Sequence, residues 1–322
     1  MNRTLDIIIV NWNSGRLLKD CLHSISLAIR KGFILTKVII VDNASKDESL
    51  INIGRCSLPI ELLKNEVNIG FAQACNLGAS ISCADYILFL NPDTLLRENS
   101  LYVPIQVLNN DKNENIGIIG IQLENESGEV VRSCGVFPTP MKFIVKTLGL
   151  NKVFPNIIHS IAMTYWEHKE NNEVNHVMGS FFLLRRKLFN ELGRFDCRFF
   201  VYLEDLDFCL RVKKIGKSVI YITDAKIYHE GGGLSKNAKE RRIYYSLRSR
   251  ILYSYKHFNW ADASIVALGT IFIEPITRIV WAFIRRSKND LIHTIKGYSL
   301  LVRALPEISR LAKNDESVIK SD

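Results

Sequence analysis

The residues best placed to do chemistry are Glu204, Asp205 and Asp207, an acidic step inside FDCRFFVYLEDLDFCLRVKKIG. Phe195, Phe199, Phe200 and Tyr202 run straight into it, and Leu206, Cys209 and Leu210 continue at helical spacing. Carboxylates set among so much apolar surface face desolvation, which a fold seldom accepts without a use for the charge. Taken alone, Glu204 and Asp205 are equally well explained as first-turn acids answering a helix dipole. Their company elsewhere in the chain decides between the two.

Asp42 closes the apolar run VIIVD and Asp93 closes YILFLNPD. If those runs are parallel strands, both carboxylates face the crevice beyond the strand ends, where open α/β sheets bind ligands. Asn11 and Asn13 follow the first run and belong at the same edge. Either aspartate alone could be a turn former or a helix cap; two at equivalent strand ends are harder to assign to capping. The first strand–helix turn, VNWNSGRLL, has no G-x-G-x-x-G, and no G-x-x-x-x-G-K-[ST] loop occurs. A nucleotide diphosphate bound here would need its charge neutralised otherwise, and a divalent cation on Asp93 is the economical answer. His229 follows a strand-like run and precedes Gly231, Gly232 and Gly233, so it is either a further ligand or a structural histidine beside a flexible loop.

The elements that must position these groups form an α/β pattern. LDIIIVN (5–11), KVIIVDN (37–43), PIELLKN (59–65) and YILFLNPD (86–93) read as strands without alternation, as in a parallel sheet buried on both faces. Amphipathic segments through Leu17–Ile25 and Ala72–Leu77 separate them. IGIIGIQL (116–123) and EVVRSCG (129–135) predict a hairpin about a turn at 125–128, NHVMGSFFLLRR (175–186) another strand, and SVIYI (218–222) the last one. The stretch 136–175, with Pro138, Pro140 and Pro155, reads as a long functional or mobile loop. Residues 260–311 read as helical, which predicts a catalytic domain over 1–250 and a helical region over 251–322.

Composition narrows the function classes. At 47% hydrophobic and 23% charged, the 322 residues suit a packed globular core rather than disorder. The seven cysteines are scattered with no C-x-x-C pair, so buried thiols are a better reading than a zinc site or a disulfide framework. No signal peptide opens the chain, since Leu5–Val10 is too short an apolar run.

The segments IIIVNWNS, VIIVDNASKDES, NEVNIGFAQACNLG, FLNPDT, GSFFLLRR, GRFDCRFFVYLEDLDFCLRVKKIG and YHEGGGLS, in that order over residues 5 to 255, resemble glycosyltransferase family 2, and within it the rhamnosyltransferase-like branch. The resemblance implies a GT-A fold with a mostly parallel central sheet, followed here by C-terminal helices. It places Asp42 on the nucleotide base and ribose, with Asn11 and Asn13 lining that pocket. Asn68, Gly70, Phe71 and Asn76 would hold the nucleotide-sugar. Asp93, with His229 as further ligand, would bind Mg2+ or Mn2+ at the diphosphate. Asp205 matches the family's catalytic base, and Glu204 would hydrogen-bond the acceptor. One departure is that Asn91-Pro92-Asp93 stands where many relatives carry Asp-x-Asp, which removes one carboxylate from the metal step.

That implies an inverting transferase moving L-rhamnose from dTDP-rhamnose to a glycan or lipid-linked saccharide; a UDP-hexose or galactofuranose donor is the alternative. A nucleotidyltransferase should carry a glycine- and basic-rich loop after its first strand, which VNWNSGRLL lacks. A non-catalytic scaffold of the same fold need not keep Asp42, Asp93 and Asp205 together. The +9 formal charge lies partly in Lys236–Arg250, with interleaved tyrosines, but no nucleic-acid module accompanies it. ASIVALGTIFI (263–273) is only eleven residues before Glu274-Pro275, too short to span a bilayer, which takes about 20. Beyond it Ile276, Ile279, Val280, Phe283 and Ile284 form a stripe beside Arg278, Arg285, Arg286 and Lys288. The stripe fits three roles: packing on the catalytic domain, a homo-oligomer interface, or docking on an anionic leaflet. Docking would make the protein cytoplasmic and peripheral on the inner face of the cell membrane.

Overall fold

The computed structural model describes residues 3–51, 53, 57–154, 163, 166–231 and 239–313. In chain order the strands are β1 (Arg3–Asn11), β2 (Phe33–Asp42), β3 (Ile60–Lys64), β4 (Tyr86–Leu90), β5 (Thr94–Leu96), β6 (Ile116–Glu124), β7 (Val130–Val131), β8 (Cys134–Gly135), β9 (Asn172–Val174), β10 (His176–Val177), β11 (Phe181–Arg185) and β12 (Ser218–His229). The α-helices are α1 (Arg16–Leu27), α2 (Phe71–Ser80), α3 (Tyr102–Asn109), α4 (Pro140–Thr147), α5 (Leu150–Val153), α6 (Arg186–Glu191), α7 (Glu204–Lys214), α8 (Lys239–His257), α9 (Trp260–Leu268), α10 (Glu274–Ile284) and α11 (Lys288–Lys313).

The chain folds into two compact units. The first takes the described residues up to Phe137, those from Met163 to Cys197 and those from Glu204 to Gly231. Its sheet runs in the order β3-β2-β1-β4-β11-β6-β12-β5. β3, β2, β1 and β4 are parallel, β11 lies antiparallel between β4 and β6, and β12 runs parallel to β6. This mixed, mostly parallel sheet with helices on it is of the GT-A type. Ile7, Ile9, Val38, Ile40 and Leu88 join one fully buried cluster, Ile8, Ile39, Val41, Ile87 and Phe89 the other. Burial on both faces is why these strands read as unbroken apolar runs. α2 lies close on β1 and β2 because of Gly78, where a Cβ would come within 2.6 Å of Ile8 Cγ2.

The predicted hairpin is present as β6 and β7, with Gly128 N–H donating to Asn125 O in the turn. The reading of 136–175 as one irregular loop is corrected. It holds α4 and α5, which belong to the second unit, with Thr139 capping α4 and Pro140 in its first turn. A sequence window judged by its prolines alone mistakes a helix-starting proline for a breaker. Pro155 and Cys56 lie outside the described residues.

The second unit takes Pro138–Phe154, Arg198–Leu203 and α8 to α11 among the described residues. Residues 260–284 are one continuous helix, as the helical reading of 260–311 expects, but its apolar length does not end at Glu274-Pro275. α9 passes into a π turn at Gly269–Ile273 and then into α10. There Glu274 N–H donates to Gly269 O, and the wider turn carries the helix past Pro275, which has no N–H of its own to give. By length and composition this segment is long and apolar enough to cross a membrane, against the sequence reading. Inside the unit, Glu274 is 3% exposed and pairs with Arg250, itself 2% exposed, and with Arg278.

Candidate functional site

The carboxyl ends of β1 and β2 lie side by side, with Asn11 opposite Asp42. Asn11 is fully buried and acts as a bracket: its Nδ2 donates to Asp42 Oδ1 at 2.7 Å and to Ser49 Oγ at 2.8 Å, and Ser14 Oγ donates to its Oδ1. The other Asp42 oxygen accepts Ser45 N–H at 3.1 Å. Exposed Asn13, at φ 51°, ties the two loops together, accepting Lys46 N–H on Oδ1 at 2.7 Å and donating its own N–H to Ser45 Oγ. Asn68 Oδ1 accepts Gly70 N–H at 2.9 Å where α2 begins, and Asn43 Nδ2 donates to Gly70 O. Phe71, the first residue of α2, packs half-buried against the core. Asn76 is committed elsewhere: its Nδ2 donates to Phe195 O at 2.8 Å and its Oδ1 accepts Phe195 N–H, bracing the chain ahead of the acidic step.

Asp93 and His229 meet at the same sheet edge, because β5 pairs with the end of β12 and sets His229 opposite Thr94. His229 Nε2 lies 3.5 Å from Asp93 Oδ1, with the two side chains 8% and 7% exposed. His229 Nδ1 is buried without a hydrogen-bond partner among the described residues. A buried carboxylate oxygen and an imidazole nitrogen at that separation suit two ligands of one divalent ion. Among the described residues no three His, Cys, Asp or Glu side chains gather, so the remaining ligands would have to be substrate oxygens or water. That matches the carboxylate missing at Asn91. Gly232 and Gly233, together with Lys236, lie outside the described residues.

The acidic step opens α7, and it follows two non-glycine residues, Tyr202 and Leu203, both at φ 70°. Consecutive left-handed residues cost energy that only the surrounding fold can hold, a pattern common at functional sites. Asp205 Oδ2 accepts Gly179 N–H at 2.8 Å and Oδ1 accepts Leu206 N–H at 2.7 Å. His176 Nε2 lies 3.3 Å from Oδ2, near enough for ion pairing but off the hydrogen-bonding angle. Burial works to raise the Asp205 carboxyl, yet the charge of His176 and the Gly179 and Leu206 amides outweigh it and hold it below the ordinary value. Glu204 goes the other way: burial first, then the charges of Asp205 and Asp207, push its carboxyl well above the usual range. Among the described residues its Oε2 has no hydrogen-bond partner. Adjacent carboxyls driven in opposite directions suit different roles, the lowered Asp205 that of a base and the raised Glu204 that of a hydrogen-bonding acid. Asp207 is fully buried and held by Arg211 Nε at 3.0 Å and Nη2 at 2.9 Å, a brace for the helix.

The two centres share a strand junction. Gly179, which holds Asp205, precedes Ser180, whose carbonyl accepts Asn91 N–H at 3.1 Å, two residues before Asp93. Gly179 can come this close because it has no side chain; a Cβ there would sit 3.3 Å from Asp205 Oδ2. His176, Gly179, Ser45 and Ser49 were not singled out from the sequence. The signal for the first two was present in HVMGS, a histidine and a glycine three apart at the start of an apolar strand.

The sequence matches the family model described as glycosyl transferase family 2 over residues 6–193. It is 23% identical over 313 residues, 92% of this chain and 99% of the relative, to the N-acetylglucosaminyl-diphospho-decaprenol L-rhamnosyltransferase of Mycobacterium tuberculosis. Against the rhamnosyltransferase WbbL of Escherichia coli it is 27% identical over 193 residues, 58% of this chain and 68% of the relative. Among solved structures, the mannosyltransferase PcManGT of Pyrobaculum calidifontis in complex with GDP-Man and Mn2+ superposes with a TM-score of 0.54 at 14% identity, covering 97% of this chain and 85% of that one. At that identity the likeness is one of fold.

Proposed function

The chain belongs to glycosyl transferase family 2, and on that premise we propose that it transfers L-rhamnose from dTDP-rhamnose, with inversion, to a hydroxyl of a lipid-linked saccharide. The observation that carries the chemistry is geometric: Asp205, held by the Gly179 and Leu206 amides, is tied through the Gly179–Ser180 strand start to the Asn91-Pro92-Asp93 turn, where Asp93 meets His229. The rhamnosyl donor and the diphospholipid-linked acceptor are supported by the Mycobacterium tuberculosis relative, an N-acetylglucosaminyl-diphospho-decaprenol L-rhamnosyltransferase that matches over 92% of this chain, and the donor also by the rhamnosyltransferase WbbL. A hexosyl donor is the second reading, favoured by a relative in Haloferax volcanii described as a hexosyltransferase, 24% identical over 262 residues.

Asp205 takes the proton of the acceptor hydroxyl on Oδ1, which keeps a lone pair beyond its bond to Leu206 N–H. The acceptor oxygen then attacks the anomeric carbon and the nucleoside diphosphate departs from the opposite face. Glu204, its carboxyl pushed up by burial and by Asp205, hydrogen-bonds the acceptor and orients it. Asp42, fixed by Asn11 and Ser45, faces the nucleoside, and the Asn68–Gly70 turn approaches the donor where α2 begins. Asp93 and His229 would hold Mg2+ or Mn2+, which supplies positive charge against the developing diphosphate charge. A cytosolic nucleotide-sugar and a lipid-borne acceptor together put the enzyme on the inner face of the cell membrane.

A thermal-shift panel tests the donor, because a ligand that binds the native state raises its apparent stability by mass action. With Mn2+ present, dTDP-rhamnose should raise the unfolding midpoint more than UDP- or GDP-sugars, and transfer to a diphospholipid-linked saccharide should follow. A larger shift with a UDP-hexose would replace rhamnose by the second reading.

A further inference from the structure

Within the second unit, the helix from Trp260 to Ile284 keeps one face buried and leaves the other uncovered. Leu268, Phe272, Ile276, Val280 and Phe283 are 55%, 64%, 63%, 49% and 67% exposed. They step along the helix by three or four residues, so they form one stripe. At 1.5 Å per residue the stripe from Leu268 to Phe283 is about 22 Å long, and few proteins leave so long an apolar stripe open to water. Its far side, with Ala263, Val266, Thr270 and Ala282, is buried inside the unit.

Charge indicates what covers the stripe. Arg285, Arg286 and Lys288 follow it and are exposed. The only carboxylates in residues 260–288 are turned to other uses. Asp262 accepts Asn259 Nδ2 at 2.8 Å in the helix cap, and buried Glu274 pairs with Arg250 and Arg278. An apolar stripe running into uncompensated cations, with no exposed acid along it, matches a surface that is itself apolar beneath and anionic above. A second copy of the same stripe would supply the apolar contact but no anion for the three cations.

We propose that this face docks on an anionic lipid surface with the helix axis in the membrane plane. Length and composition alone would allow the helix to span. Spanning would carry the Arg250–Glu274–Arg278 cluster, and the face packed on the rest of the unit, into hydrocarbon. In-plane docking leaves both where they are. Arg278 belongs to this internal cluster, so of the four basic residues beside the stripe the docking cations are Arg285, Arg286 and Lys288.

The test is co-sedimentation of the full chain with vesicles of phosphatidylcholine, with and without phosphatidylglycerol, at low and high salt. The chain should bind only the phosphatidylglycerol vesicles and be released by salt. Changing Arg285, Arg286 and Lys288 together to Glu should weaken binding by roughly 100-fold or more. Phe272→Glu with Phe283→Glu should abolish it while leaving the unfolding midpoint in place. Equal binding to both vesicle types, or to neither, overturns the proposal. Retention on cell membranes through carbonate washing would make the helix a spanning one. Loss of a solution dimer in the Phe272→Glu, Phe283→Glu protein, with no vesicle binding in either form, would assign the stripe to a subunit interface.

Discussion

Replacing Asp205 by Asn tests the base directly, and the structure sets two separate magnitudes for it. Asp205 now accepts Gly179 N–H on one oxygen and Leu206 N–H on the other. An amide has a single oxygen, so one of these N–H groups must face an NH2 and lose its partner. Leaving such a buried donor unpaired costs about 1–3 kcal/mol of stability. The catalytic loss is distinct: without a base the acceptor proton has nowhere to go, and turnover should fall roughly 100-fold or more, about 2.7 kcal/mol in the barrier. Donor binding should be spared, because Asp42 and the Asn68–Gly70 turn hang on other strands. The assay is single-sugar transfer at saturating donor, alongside donor affinity and the unfolding midpoint. Near-normal turnover by a folded Asp205→Asn protein would refute the assignment; loss of donor affinity in parallel with turnover would show that Asp205 serves binding.

Two further outcomes follow from the same site. A chelator should abolish transfer and Mg2+ or Mn2+ restore it, while Asp93→Ala should weaken nucleotide binding even at saturating metal; full activity in chelator would put basic side chains in the cation's place. Glu204, whose folded pKa is raised, favours the fold fully only below its unfolded value of about 4.3, and that contribution falls as pH rises toward the folded value, by up to about 1.4 kcal/mol per pH unit. Asp205, with its lowered pKa, is already ionised in both states above about pH 5, so it adds no slope there. As pH rises above about 5, Glu204→Gln should therefore gain on wild type in unfolding midpoint, every other titrating group being common to the two proteins; parallel midpoints would show that the Glu204 carboxyl is not raised in the fold.

The sheet was legible because burial on both faces leaves a plain trace, unbroken apolar runs such as DIIIV and VIIV. The strand-end rule then brought Asp42 and Asp93 to one edge without any contact being known, while His229 stayed open between ligand and structural residue because its strand, read as 218–222, in fact runs on to it. Side-chain partnerships were not legible. Nothing in the spacing of Asn76 and Phe195 says that the amide grips that backbone at both ends, and nothing in Asn11 says it is a bracket for Asp42. His176 was missed for the same reason, since its meaning depends on lying 3.3 Å from a residue far along the chain.

The apolar length of the helix across Glu274-Pro275 went unread for a different physical cause. A proline inside a helix removes one N–H and crowds the preceding turn, and a buried glutamate in an apolar run looks like its end. Here the π turn at Gly269–Ile273 widens the helix just ahead of Pro275, and Glu274 turns inward to Arg250 and Arg278. Arg250 comes from α8, so the glutamate is neutralised by an element that no local window contains. Once that charge is withdrawn from the surface, the outer face from Leu268 to Phe283 is continuous and apolar. The glutamate that ends the apolar run in a sequence reading is therefore, once paired with Arg250 and Arg278, what permits the uninterrupted stripe.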